Sequence, residues 1–397
     1  MILGAGLFQL PAIRKAVDLG HYVITVDYLP ENVGHKASHC YVNCSTTDRE
    51  RVARAARDFG VDGVLTFGSD VAVPTVGYVC EQLDLPGVSL TAAETMTQKH
   101  LFRAFLQEHG LPHPKFVISK SAAGLREILE DLRFPVIFKP VDASGSRGLT
   151  KLDIPNESEI VAAFDYAKGF SRSGVVCVEE FVDGTDVSGD GVLCNGSFSF
   201  IAITHKYLSD LIVTGHSMPA NISNEAQARV IDALEKCCRA LGYTDGPLNF
   251  DVMVSPEQII IIEMSARNGG NGIPSVIARA TGIDVEVASL RLALGEEPRM
   301  QLDSLAKGGA GSWIFGNAAG GLLGDLRGLE AICTDVPEVF DLYLAVQPGS
   351  PVKPFDHNGN LIGCALFDCK SSKHYEDITR RISHALQIRI DPIGAGN

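Results

Sequence analysis

No apolar stretch in the chain reaches the ~18 residues that a membrane-crossing helix requires, and Met1 opens into a short strand and not into a charged leader with an apolar core. Membrane association is not expected, and the cytoplasm is the expected location. Cys-x-x-Cys is also missing. The ten cysteines follow no repeating spacing, which argues against a disulfide framework and reads as reduced core thiols. His35, His39, Cys40 and Cys44 lie close in sequence, but no second ligand pair at finger spacing accompanies them, so zinc is not expected. Positive charge is in short supply: Lys plus Arg total 34 against 48 Asp plus Glu, a net charge of -14. Such a field repels phosphate backbones and anionic headgroups, and nucleic acid is not expected as a partner. A single nucleotide is compatible with it, because one phosphate group needs only a local cluster of donors and a metal. There is no Gly-Lys-Ser/Thr loop leading into a helix, no Ser-His-Asp or Cys-His motif, no internal repeat and no low-complexity tract.

What the chain does have is 397 residues at 45% hydrophobic content, enough for two or three packed domains. Residues 1–90 alternate short apolar runs with helical periods. Met1–Leu3 and Tyr22–Val26 read as strands around a helix marked by Pro11 at its start and Gly20 past its end, and Arg49–Gly60, Gly63–Phe67 and Ala72–Leu83 continue the pattern. The reading is a parallel sheet with helices on both faces. The opening strand is only three residues long, which leaves open whether residues precede Met1 in the natural protein. A long helix over Thr97–His109, closed by Gly110 with Pro112 and Pro114 beyond, marks the first boundary. Strands then dominate to about Gly295, in hairpin-like pairs: Phe134–Lys139 with Leu149–Asp153, Val175–Phe181 with Ser188–Leu193, and Leu248–Val254 with Gln258–Met264.

Several constellations carry chemistry. Gly4-Ala5-Gly6 with Asp27 opens a dinucleotide fingerprint, but its third glycine position is Gln9. Lys139 sits inside an apolar strand, where an ammonium is costly unless an anion meets it, and is followed by Ala143-Ser144-Gly145-Ser146-Arg147-Gly148, whose glycines let backbone amides approach phosphate oxygens. Val175–Val178 runs into Glu179-Glu180-Phe181-Val182, with Asp186 beyond. A solvated strand end explains those acids, as does a segment pairing its backbone with an adenine edge while Asp186 accepts from ribose hydroxyls. In the hairpin Leu248–Met264, a Ser-Pro-Glu turn sets Asp251 opposite Glu263 on one face. Two like charges in that position repel. A hard cation resolves the conflict, since Mg²⁺ takes carboxylate oxygens together with substrate phosphates; a protonated carboxyl or a bulge is the alternative. Two residues on, Ser265-Ala266-Arg267-Asn268-Gly269-Gly270 leads to a helix start at Pro274, joining an arginine to exposed amides as an anion site.

These elements in this order resemble the ATP-grasp superfamily, in particular its carboxylate–amine ligases such as the formate-using purine ligase, biotin carboxylase and the bacterial dipeptide ligases. The resemblance implies an α/β and α+β chain: a Rossmann-like domain over 1–90, a two-lobed ATP-grasp core over 91–295 with its lid lobe at about 115–180, and a small C-terminal domain over 296–397. It implies ATP and one or two Mg²⁺ ions, with Mn²⁺ as a substitute, and small-molecule carboxylate and amine substrates. It is compatible with a homodimer. Carried over by position, Lys99 and Lys139 look like phosphate-contacting lysines, and Ser144, Gly145, Ser146 and Gly148 belong to the mobile glycine loop. Glu179, Glu180, Phe181 and Val182 match the adenine hinge, and Asp186 stands at the ribose position. Asp251, Glu263 and Ser265 match the metal ligands, with Ser265 where the usual Glu-x-Asn-x-Arg motif has asparagine. Arg267 matches the arginine that holds the acyl phosphate, which makes Arg267 and Lys139 the expected catalytic groups. Asn268, Gly269, Gly270 and, in a segment similar to one on the acceptor side of amino-acid ligases, His216 are the expected substrate contacts. The expected reaction is amide formation through an acyl phosphate, with release of ADP and phosphate. The rivals are an NAD-dependent oxidoreductase using Gly4, Gly6 and Asp27, and a non-catalytic ATP-binding sensor or scaffold.

Overall fold

The computed structural model describes residues 1–298, 300 and 306–392, so residues 299, 301–305 and 393–397 of the expected C-terminal segment lie outside the described residues. The chain divides into two compact units, one formed by Met1–Ala202, Ile222–Gly270 and Val285–Met300, the other by Ile203–Asn221, Asn271–Asp284 and Gln301–Asn397. Helices and sheets alternate throughout, in agreement with the expected mixed α/β class.

The first unit opens with strands β1 (Ile2–Leu3), β2 (Ile24–Asp27), β3 (Cys40–Asn43) and β4 (Leu65–Thr66), which form a parallel sheet in the order β3-β2-β1-β4. All four residues of β2 are buried, as expected for a strand covered on both faces by crossover helices. The crossover helices begin and end where local chemistry dictates. The Asp48 carboxylate accepts from the Arg51 amide at the start of helix Arg49–Phe59, and Gly60 closes it in the left-handed region at φ 60°.

The expected helix over Thr97–His109 is observed as Lys99–Glu108, and a further helix, Leu90–Thr97, precedes it across Gln98, whose φ of -106° and ψ of 108° are not helical. The break places Lys99 in the first turn of the second helix. That helix turns Phe102, Arg103 and Leu106 inward.

Next come β5 (Phe116–Ser119), β6 (Val136–Pro140), β7 (Thr150–Leu152) and β8 (Val176–Glu180), an antiparallel sheet in the order β5-β8-β6-β7. Helix Glu157–Phe170, capped by Asn156, packs Ile160, Phe164 and Ala167 on it. The β6–β7 hairpin matches the sequence expectation. The pairing of Val175–Phe181 with Ser188–Leu193 does not: β8 is flanked on both edges by β5 and β6, while β9 (Thr185–Cys194) belongs to another sheet, where it pairs with β12 (Gly246–Val254). Alternation identified both strands correctly but carries no information on which edge each one meets. Residues 181–184 thus cross from one sheet to the next. Gly184 makes the crossing feasible, because a Cβ there would stand 2.6 Å from the Val254 carbonyl oxygen. β13 (Ile259–Ser265) completes this part of the unit, paired with β12 as expected.

In the second unit the latter part of β10 (Ser197–Ser209) pairs with β11 (Ile212–Met218), followed by β14 (Ala310–Phe315), β18 (Gly363–Asp368) and β16 (Val339–Leu344). A core of Phe315, Ile362, Phe367, Ile378 and Ile382 lies under helix Ser372–Ala385. Tyr207 and Tyr375 stack with ring centroids 3.7 Å apart. A smaller sheet, β17 (Pro351–Val352), β15 (Gly321–Arg327) and β19 (Gln387–Asp391), borders it. No helix among the described residues is long and apolar enough to cross a membrane.

Candidate active site

Three adjacent antiparallel strands of the first unit share one polar face. The register pairs Asp251 directly with Glu263 and Asn249 with Ser265 across β12 and β13. Across β12 and β9 it pairs Asp186 with Met253, Ser188 with Asp251 and Asp190 with Asn249. Residues opposite one another in an antiparallel ladder point to the same side, so Asp186, Ser188, Asp190, Asn249, Asp251, Glu263 and Ser265 all project from one face. The other face of β12, formed by Leu248, Phe250 and Val252, is buried apolar core. A register shift after Asp251 leaves the acid pair intact.

Lys99 reaches this face from the turn after Gln98. Its ammonium donates to the Ala143 carbonyl at 2.8 Å and to Glu263 at 3.4 Å, joining the loop after β6 to the acid pair. Burial opposes its charge, but Glu263, Asp70 and Glu179 outweigh it and raise its pKa. The loop contains Gly145, Ser146 and Gly148 in the left-handed region, at φ 68°, 63° and 69°. Gly148 has a second role: a Cβ there would come within 3.0 Å of the Phe170 ring.

Lys139 does meet an anion. Its ammonium donates to Glu179 at 2.7 Å, and the same carboxylate accepts from Arg103 Nε at 2.8 Å. Arg103, itself fully buried, also donates to the carbonyls of Ile261 and Ile262 in β13. Burial disfavours the Glu179 charge, but the Arg103 guanidinium and the Lys139 ammonium hold its pKa well below the usual carboxylate range. The acidic side chains of the hinge segment serve contacts inside the protein. The Glu179 side chain is an internal counterion, the Glu180 carboxylate accepts from the Arg133 amide at 2.9 Å, and the amides of Glu180 and Phe181 donate to the carbonyls of Lys115 and Pro135. Phe181 presents its ring to the Lys151 ammonium at 4.4 Å.

Arg267 is 7% exposed. It donates from Nη1 to Asn249 at 2.7 Å and to the Asn268 carbonyl at 3.1 Å, and from Nε to Asp70 Oδ1 at 2.9 Å; Nη2 bonds the same Asp70 oxygen. Burial disfavours the Asp70 charge, but Arg267 more than compensates and lowers its pKa. Of the amides expected to be exposed after Arg267, that of Gly269 is engaged inside the protein. The Gly269 amide donates to Asp190 at 2.8 Å, and the buried Asn268 accepts from Ser289 at 2.6 Å while its amide nitrogen lies 3.5 Å from Asp190. These contacts hold the segment in place. His216 lies in the second unit, 2% exposed, with its backbone amide donating to Ser312 at 3.2 Å and Nδ1 3.4 Å from Thr204.

Asp190 is fully buried, and burial pushes its pKa up to about 7 against the hydrogen bonds from Asn249 and Gly269 and the charge of Arg267. An unfolded aspartate titrates near ~3.9. Between those values the native state binds one proton more than the unfolded state, so stability falls as pH rises through the window, by up to about 1.4 kcal/mol per unit, and levels off above 7. Asp190→Asn removes that titration. The expected result is a denaturation midpoint that declines less from pH 5 to 7.5 than that of wild type; parallel profiles would contradict it.

A cavity of about 220 Å³ adjoins this face, lined by Glu263, the loop root at Asp142, Ala143 and Ser144, and Thr47, Arg49, Asp70 and Thr75 from the first 90 residues. The dinucleotide fingerprint, in contrast, is filled by its own side chains. The Ala5 amide donates to Asp27 at 3.1 Å, the Gly6 amide to Gln9 at 2.9 Å, and the Gln9 amide group donates in turn to the Phe67 carbonyl. His35 and His39 likewise bond Thr25 and the Val23 amide. No group of three His, Cys, Asp or Glu side chains among the described residues forms a metal cluster. A pair of acids is instead the complement with which Mg²⁺ shares its shell with phosphate and water.

Sequence reasoning missed Arg103, Asp70, Asn249, Ser188 and Asp190. Three had a signal: Arg103 as an arginine on the apolar face of helix Lys99–Glu108, and Ser188 and Asp190 as polar residues that follow Asp186 at every second position of a strand. Asp70 had none.

Residues 132–275 match the model of the ATP-grasp domain. The D-alanine–D-alanine ligase of Ralstonia nicotianae is 30% identical over 246 residues, 57% of this chain and 71% of the relative. The alanine–anticapsin ligase of Bacillus subtilis is 26% identical over 259 residues, 59% of this chain and 54% of that protein. Among solved structures, the L-amino acid ligase of Bacillus licheniformis superposes with a TM-score of 0.80 at 24% identity, covering 98% of each chain, a likeness of fold.

Proposed function

Since this chain belongs to the ATP-grasp family, as an enzyme of its carboxylate–amine ligase type that forms C–N bonds, we propose that it converts a carboxylic acid to an acyl phosphate with ATP and transfers the acyl group to an amine. The observation that carries this reading is the Asp251–Glu263 pair on one strand face beside Lys99. Ligases of this family use ATP and Mg²⁺ generally. Asp251 and Glu263 would hold one or two such ions, with Mn²⁺ fitting the same oxygens, and Ser265 stands next to them on the face. Bound there, the metal neutralises phosphate charge.

The chain's own groups supply the rest. A carboxylate is a poor electrophile because attack on it must expel an oxide-like group; phosphorylation provides a better leaving group, and catalysis is then positioning and charge stabilisation. Lys99, Lys139 and the amides of Ser144–Gly148 fit the triphosphate. Val182 and the carbonyls of Glu179–Phe181 fit the adenine edge, and Asp186 the ribose. The substrate carboxylate oxygen attacks the γ-phosphorus and ADP leaves; the amine nitrogen then attacks the acyl carbon, phosphate leaves and the nitrogen gives up a proton. Arg267 balances the charge on the transferring phosphoryl. The nicotinamide rival finds no support in the fingerprint, whose Ala5 and Gly6 donors serve Asp27 and Gln9.

The test is a pairwise screen of acids and amines for ATP-dependent phosphate release, with the product mass measured. Release with at least one pair, and a product equal in mass to acid plus amine minus water, is the expected result. Tight ATP binding with no release across the screen would instead favour the sensor reading.

A further inference from the structure

The loop Ala143–Gly148 is fastened at its root by a carboxylate that the ligase reaction leaves without a task. The chain leaves β6 at Val141, whose carbonyl accepts from the Lys99 amide at 2.9 Å and whose amide donates to the Val175 carbonyl at 3.3 Å. Asp142 carries the main attachment. Its Oδ1 accepts from Ser171 Oγ and from the Arg172 amide, each at 3.0 Å, and its Oδ2 accepts from the Ser173 amide at 2.9 Å. The Asp142 carbonyl accepts in turn from the Arg172 guanidinium at 2.9 Å. Burial disfavours the carboxylate charge, but the bonds from Ser173, Ser171 and Arg172 outweigh it and lower the pKa. These donors lie 29 to 31 positions away, so the contact is a tie between distant segments and not a local cap of the loop. They belong to the turn between helix Glu157–Phe170 and β8, which Ser171 stabilises by accepting from the Val175 amide at 3.1 Å. Ala143 is held next, through its carbonyl and Lys99. At the far end of the loop Gly148 lies against Phe170, the residue before the same turn. Between these two fastenings Arg147 donates to the Ser144 carbonyl at 3.3 Å, a bond within the loop itself.

We propose that Asp142 is a positioning residue for the triphosphate: by tying the loop root to the Ser171–Ser173 turn it sets where the amides of Ser144–Gly148 meet the β- and γ-phosphates, while both of its own oxygens stay engaged with the turn. This rests on the ligase reading and adds to it the residue that aims the loop. The physical basis is preorganisation, since donors held in place before the nucleotide arrives need no reordering when it binds.

The experiment titrates two nucleotides calorimetrically, in the presence of Mg²⁺, into wild type, Asp142→Ala and Asp142→Asn. One is an ATP analogue with a non-hydrolysable β,γ bridge; the other is AMP, which has the same adenine, ribose and α-phosphate but lacks the two phosphates that the loop is set to receive. Asp142→Ala is expected to weaken the ATP analogue by about 10–100-fold and to leave AMP within about twofold of wild type, the scale on which a misplaced group acts. Asp142→Asn keeps one oxygen for Ser171 and the Arg172 amide but turns an NH₂ group toward the Ser173 amide, where two donors meet, so its loss should fall between wild type and alanine. A purely structural role would weaken both nucleotides alike and overturn the proposal, as would variants that bind the ATP analogue as wild type does. If circular dichroism shows that Asp142→Ala has lost its fold, Asp142→Asn decides alone by the same split. The titration needs no turnover. Wild type without affinity for the ATP analogue would remove the ligase reading together with this role for Asp142, whereas failure of the Asp142 role alone leaves wild-type binding intact and shows only in the variants.

Discussion

Glu263→Gln is expected to cut ADP release by about 10²–10³ with any acid and amine while the protein keeps its fold. The carboxylate stands opposite Asp251 on the same face and 3.4 Å from Lys99, so in the proposed site the amide would leave the metal with one anionic partner and Lys99 with a neutral one. Losing a single charge-stabilising contact of this kind costs about 10²–10³ in kcat. Because the ion's affinity depends on its ligands' charge, half-saturation should also move to higher Mg²⁺ concentration. The check is ADP release against Mg²⁺ concentration for the variant and for Asp251→Asn, with circular dichroism to confirm folding. Turnover near wild type would reject the assignment of the pair as metal ligands.

Glu179→Gln should act on stability instead. Glu179 is the shared counterion of Arg103 and Lys139, all three nearly inaccessible to water. Removing one partner of a buried ionic cluster leaves the others uncompensated, a loss of about 3–5 kcal/mol. The substituted glutamine side chain still fills the space, so packing is not the cause. Chemical denaturation monitored on the transition of the β5-β8-β6-β7 sheet measures it; a loss below about 1 kcal/mol would mean that the two cations relax into other partners. Because the carboxylate's pKa is depressed, its contribution is present above the unfolded value and vanishes as pH falls through the folded one. The gap between variant and wild type should therefore narrow in acid.

Much of this fold was legible because alternation and helix punctuation are local. The Leu248–Met264 hairpin could be read with its register because a short turn leaves few choices, and that register brought Asp251 and Glu263 together as expected. The pairing proposed for Val175–Phe181 failed for the opposite reason: nothing local records that β8 is already bordered by β5 and β6. The same limit governs the site. Lys139 was recognisable as a lysine in need of an anion, yet the anion turned out to be Glu179, on the neighbouring strand, whose companion Arg103 comes from a helix in a different part of the chain. The Gly-rich segment after Arg267 was readable as a set of donors, but not that Asp190 already accepts from Gly269. Gln9, visible as a departure from the dinucleotide pattern, was the more informative residue there, since its side chain takes the Gly6 amide that a pyrophosphate would need.

The contacts that assemble the site join distant parts of the chain: Lys99 to Glu263, Arg103 to the carbonyls of β13, Asp70 to Arg267. A ribosome that has not yet reached β12 has therefore produced Lys99, Arg103 and Asp70, but not Glu263, the Ile261 and Ile262 carbonyls or Arg267, which set them. These contacts close only once residues 246–267 have emerged, and a product truncated before that point holds half of each of them.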